Sequence, residues 1–109
     1  MPELGDLLAR AQQAQEKLQA LQRELAARRV EGSAGGGMVR VEVSGAMRVL
    51  RIEIEPSLLA SGDREMLQDL TAAAVNAALT NAQRLVQEEM QKASSELGLP
   101  SLVGGGAPS

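Results

Sequence analysis

The chain predicts an α+β fold in which an antiparallel hairpin lies between two long helices, and three observations carry that expectation. Across residues 39–54 apolar and polar residues alternate, with Ser44-Gly45-Ala46 as an interruption. A period of two marks strands with one wet face, and a short Gly-containing break marks the turn between them. In the flanking stretches, residues 3–29 and 63–97, apolar residues recur at threes and fours, the helical period. Hydrophobic residues make up 44% of the chain and aromatic residues 0%, so the interior is aliphatic and alanine-rich, a composition suited to closely packed helices.

The first helical stretch has no Gly or Pro after Gly5 and runs to about Arg29. Leu4, Leu7, Ala11, Ala14, Leu18, Leu21 and Leu25 form a heptad seam, with a glutamine-rich, mixed-charge surface around it. Residues 30–34 read as a short strand or an extended link, and Gly35-Gly36-Gly37 as a turn. Gly32 and Gly37 match the outer spacing of a phosphate-binding loop, but Met38 stands where that loop requires Lys. Glycines here are more simply a turn, or a place where two backbones come close.

In the hairpin, Val39, Val41 and Val43 alternate with Arg40, Glu42 and Ser44. Gly45 is expected to supply a positive φ at the turn. The return run, with Val49, Ile52 and Ile54, slips once in its alternation. A bulge near Leu50-Arg51, or a second partly buried face, accounts for the slip. Pro56 ends the sheet, because proline cannot continue a central ladder. Leu58-Leu59 then makes one helical turn closed by Ser61-Gly62, and Asp63 or Ser61 caps the second long helix. Its stripe is Leu67, Leu70, Ala74 and Ala77, with Val75, Leu79, Ala82 and Val86 adjoining. Asn76 is expected to be a hydrogen-bonded buried or interface amide. Residues 98–109, rich in Gly and Pro, read as a disordered tail after one domain of residues 1–97.

No catalytic residue, metal ligand set, cofactor site or small-molecule substrate site is expected. The chain has no His and no Cys, which removes the usual general base, the thiol nucleophile and the commonest metal ligands. Its serines stand without a base partner, and Glu88-Glu89 are helix neighbours that point apart. No apolar run reaches the roughly 20 residues of a membrane span, and no signal peptide is visible at the N-terminus. A cytoplasmic, non-membrane protein is the expectation.

Formal net charge is −3, from 11 basic and 14 acidic side chains, so bulk charge alone does not announce a nucleic-acid partner. Arginine nevertheless dominates the basic set, and its planar fork of donors suits phosphate.

The order of the chain resembles the YbaB/EbfC family of nucleoid-associated DNA-binding proteins. The resemblance is carried by Leu4-Gly5-Asp6-Leu7-Leu8 and the run from Ala11 to Leu18, then by the run from Val30 to Val39. It continues in the run from Ile52 to Leu59 and in Ala73-Ala74-Val75-Asn76-Ala77-Ala78. It implies a long N-terminal helix, a three-stranded antiparallel sheet and a long C-terminal helix in two layers, paired into a tweezer-like homodimer. It also implies binding to double-stranded DNA with little sequence preference, in the nucleoid.

The expected DNA contacts are Arg10, Lys17, Arg23, Arg28 and Arg29 on the first helix, with Arg84 and Lys92 on the last. Val39, Val41, Val43, Leu70, Ala74 and Ala77 are the expected dimer interface. The alternative is a non-enzymatic scaffold accessory to a DNA-repair or recombination assembly.

Overall fold

The computed structural model describes residues 3–98. The elements are α1 (Leu4–Ala27), β1 (Arg29–Ala34), β2 (Val39–Ser44), β3 (Val49–Ile54), α2 (Pro56–Ala60) and α3 (Arg64–Glu96). The helix–sheet–helix order expected from the sequence holds. The tail expected from residue 98 onward lies, beyond Gly98, outside the described residues. Two compact units are present: Leu25–Val86, and the described residues of Met1–Glu24 with Gln87–Ser109.

The unit Leu25–Val86 holds the sheet, an antiparallel meander in the order β1-β2-β3. Val39, Val41 and Val43 of the central strand are 0% exposed. They pack in one cluster with Ala74, Ala78 and Ala82 of α3 and Leu58 of α2. The three alanines recur every four residues, so they form one line along the helix. Their short side chains let α3 lie close against the sheet.

That closeness sets the role of Gly32. A Cβ there would stand 2.7 Å from the Ala77 carbonyl carbon and nearer still to the Ala78 backbone. The expectation that glycine marks a close approach of two backbones is met at Gly32, whereas Gly35, Gly36 and Gly37 form the β1–β2 turn with φ of 66°, 66° and 94°.

At the β2–β3 turn the expectation needs correction. Gly45 does not adopt a positive φ; Met47 does, at 63°. Gly45 is required because its Cα faces the end of α1: a Cβ would stand 2.7 Å from the Leu25 carbonyl carbon and closer to its oxygen. Its N–H donates to the Arg28 carbonyl at 2.9 Å, and the Ser44 N–H donates to the Arg48 carbonyl at 2.8 Å.

The slip in β3 is a bulge. Glu42 pairs with Arg51 and Val43 with Val49, so Leu50 is the extra residue. α1 ends at Ala27, two residues short of the expected end, because Arg29 pairs with Ser44 as the start of β1. Asp63 caps α3, its Oδ1 accepting from the Met66 N–H at 3.0 Å. Ser61 closes α2 by donating to the Leu58 carbonyl at 2.7 Å. Asn76 is exposed, and the amide that ties helix to sheet is Asn81, whose Nδ2 donates to the Glu31 carbonyl at 3.0 Å.

In the other unit, α1 contributes a seam that is progressively open toward its start. Leu4 and Leu7 are 72% and 49% exposed, Ala14 and Leu18 half-buried. No helix among the described residues is long and apolar enough to cross a membrane.

Candidate nucleic-acid interface

A surface for duplex DNA needs cations that are exposed, unpaired and gathered where one phosphate track can reach them. The two units differ sharply by that standard. Met1–Glu24 with Gln87–Ser109 holds four basic side chains against seven acidic ones. Leu25–Val86 holds seven of each.

In the first of these, Arg10 and Lys17 are exposed and seven residues apart, so they share a line on α1. Glu3 and Glu24 stand on the same line at the same interval, closing it with an acid at each end. Arg23 is exposed but turns about 120° away from Lys17 at 3.6 residues per turn. Lys92 on α3 has Glu88, Glu89 and Glu96 three or four residues away. The basic residues expected on the helices are therefore solvated, as expected, but not gathered.

In the sheet unit the outer face of the meander is a lattice of ion pairs. Arg29 lies 3.3 Å from Glu42, Arg40 lies 3.0 Å from Glu53, and Arg51 lies 2.6 Å from Glu53. All these side chains are at least one-third exposed, so each pair adds little stability. Their consequence is electrostatic: Arg40 and Arg51 are both engaged by the single carboxylate of Glu53.

Arg28 and Arg29, expected from the sequence as part of the first helix, sit instead in the link after α1 and at the start of β1. The hydrogen bonds at Gly45 and Ser44 bring the backbone of Arg48 to the same end of the sheet. Arg84 reaches that end too. α3 runs opposite to β1, with Leu70 beside Gly35, Ala78 beside Gly32 and Asn81 bonded to Glu31. One turn beyond Asn81 brings Arg84 level with the first residues of β1. Among the described residues no carboxylate lies within ion-pairing distance of Arg28, Arg48 or Arg84. Arg48 was not among the expected contacts. Its signal was the Ser44-Gly45-Ala46 turn, which folds the residues after it back beside the end of β2, the strand end that pairs with the start of β1.

The expected dimer residues divide as well. Val39, Val41, Val43 and Ala74 are covered by their own chain, because the alanine line of α3 already fills that face. They leave no area for a second copy. Leu70 and Ala77 remain half-buried. The large apolar side chains left open in the sheet unit are Val49, Leu50, Ile52, Leu59 and Met66, from 43% to 56% exposed.

Residues 1–97 match the model of the YbaB/EbfC DNA-binding family. Among curated relatives, a nucleoid-associated protein of Pelodictyon phaeoclathratiforme is 46% identical over 101 residues, covering 93% of this chain and 89% of that one. A nucleoid-associated protein of Thermoanaerobacter pseudethanolicus is 40% identical over 99 residues, with 91% and 89% covered. The crystal structure of an uncharacterized Helicobacter pylori protein matches with a TM-score of 0.65 at 20% identity, over 82% of this chain and 94% of that one, a likeness of fold. The helix, three-stranded meander and long helix described above thus occur in a chain whose sequence matches over nearly its whole length, and the chain belongs to the YbaB/EbfC DNA-binding family.

Proposed function

We propose that the protein is a nucleoid-associated protein that binds double-stranded DNA as a homodimer with little sequence preference. The observation that carries the reading is the family match across residues 1–97, supported by relatives named nucleoid-associated proteins at 40–46% identity. The chemistry of the surface agrees with phosphate contact rather than base reading: exposed arginines are available, while aromatic side chains that could stack on bases are absent from the sequence. The net charge of −3 leans toward the accessory-scaffold alternative, but neither the family match nor the names of the relatives favour it.

Backbone contact is tested by its dependence on salt. The logarithm of affinity should fall linearly with the logarithm of salt concentration, by about 0.9 per phosphate neutralised. Mobility-shift titrations with three unrelated duplexes should give slopes within experimental error of one another, roughly −4 to −7 for a dimer using two to four cations per subunit. A slope near zero, or strong binding to one duplex only, would remove the sequence-tolerant backbone reading.

Pairing of two copies is supported by the apolar side chains that a single chain leaves open along β3 and α2. An exposed apolar flank of this kind suits packing by a second copy. Sedimentation at micromolar concentration should report a species of twice 11.4 kDa. Ile52→Asp should shift it toward the single chain while far-UV circular dichroism stays helical, since Ile52 is 43% exposed in one chain. A parent protein that sediments as a folded single chain would exclude the dimer.

A further inference from the structure

The neutral charge of the sheet unit conceals a separation. At one end stand Arg28, Arg29, Arg48 and Arg84; Arg29 pairs with Glu42, Glu88 stands four residues beyond Arg84, and Arg28, Arg48 and Arg84 form no ion pair among the described residues. At the other end, beyond the glycine turn, stand Glu55, Asp63, Glu65 and Asp69, with Arg64 their basic neighbour. Glu55 belongs to that end because its N–H donates to the Met38 carbonyl at 2.8 Å. Asp69 belongs there because it adjoins Leu70, which lies against Gly35. Between the two ends Arg40 and Arg51 share the carboxylate of Glu53, and the charge of Glu31 offsets the remainder without an ion pair.

We propose that the basic end of the sheet, with Arg28 and Arg48 at its centre, is the principal phosphodiester contact, in place of the exposed line of α1. The proposal rests on the DNA-binding reading above and names the residues through which it acts. Four guanidiniums at one end of a small unit form a positive surface that a duplex backbone can meet. The α1 line offers Arg10 and Lys17 between Glu3 and Glu24, so its field is weakened at both ends by its own acids. The backbone bonds at Ser44 and Gly45 also fix the basic end. Arg28 and Arg48 each lend a carbonyl to the turn, at 2.9 and 2.8 Å, which holds their Cα positions without using their side chains. A preplaced cation loses less freedom on binding than one on a mobile segment.

The test compares two double variants in the full chain, by mobility shift on one 30-base-pair duplex at several salt concentrations. Arg28→Gln with Arg48→Gln should lower affinity at least tenfold. It should also flatten the salt slope by about 3 to 4, because a dimer would then neutralise four fewer phosphates at about 0.9 each. Arg10→Gln with Lys17→Gln should change affinity less than threefold. Arg28→Lys with Arg48→Lys keeps the charges and should keep the slope, separating phosphate binding from a structural role. Thermal unfolding of every variant should match the parent, because the substituted side chains are exposed. A loss confined to the α1 pair, or equal losses in both pairs, overturns the proposal. A parent that binds no duplex overturns the DNA reading itself, whatever the variants do.

Discussion

Gly32→Ala is expected to remove a large part of the protein's folding stability. The added methyl would meet the backbone of Ala77 and Ala78, 2.7 Å from one carbonyl carbon and closer to the next residue. Neither neighbour is the tip of a side chain that can swing aside. To relieve the clash α3 must lift from the sheet, and the alanine line over Val39, Val41 and Val43 opens with it. Overpacking in cores costs about 1–3 kcal/mol when side chains can adjust; with backbone on both sides the cost lies at or above that range. For a chain of this size that is a large part of a total stability of about 5–15 kcal/mol. Gly36→Ala is the contrast, since nothing lies within 4 Å and only its φ of 66° is strained. That substitution should cost about 1–2 kcal/mol, visible as a shift of a transition that remains sharp. Circular dichroism melts of both variants measure the difference. A Gly32→Ala protein that melts like the Gly36→Ala protein would show that helix and sheet can separate freely.

Val41→Asp is the second large effect. The side chain is 0% exposed, in the middle of the central strand, with alanine methyl groups over it. None of those neighbours can donate a hydrogen bond, so an aspartate would be a buried charge without a partner. Such a charge costs about 3–5 kcal/mol, and the chain should escape by unfolding locally or globally. Hydrogen exchange across β1, β2 and β3 should accelerate by orders of magnitude. Arg40→Asp, one residue away on the wet face, should leave exchange close to that of the parent, since Arg40 is exposed and its pair with Glu53 contributes little.

The contrast between Val41 and Arg40 was legible in the sequence, because a period of two needs only one wet face to show itself. The bulge at Leu50 was legible for the same reason, as a break in that period. The register of α3 on the sheet was not. Alanines occupy positions 72, 73, 74, 77, 78 and 82, so several faces of the helix are equally small and apolar. Periodicity chose Leu67, Leu70, Ala74 and Ala77, with Ala82 on an adjoining face; packing buries Ala74, Ala78 and Ala82 fully and leaves Leu67 and Leu70 partly buried against the same cluster. With the helix in that register, the valines expected to meet a second copy are enclosed by their own chain. Gly45 misled in another way. A glycine in a hairpin break can be there for its φ or for its lack of a Cβ, and only the position of Leu25 decides.

The candidate site was half legible. Seven of the eleven basic residues were expected to touch DNA, but one continuous helical pattern gave no sign that Arg28 and Arg29 leave α1. Nothing in local sequence marks the ends of α1, β1 and β3 as neighbours; the pairing of Arg29 with Ser44 does. Family membership supplies the partner class, and the register of the sheet supplies the grouping of the arginines.

The Leu50 bulge also bears on how far the sheet can grow. β3 is an edge strand carrying Val49, Leu50 and Ile52 in the open, the profile of a strand that recruits further strands into fibrils. With Leu50 squeezed out of the ladder, the free edge of β3 lacks the even spacing of amide and carbonyl that an incoming strand must match. Arg51 and Glu53 beside it add charge that a stacked copy would have to pair in register at every layer. A single extra residue thus ends the polymer before it starts, leaving the apolar flank of β3 open to side-chain packing and closed to endless strand addition.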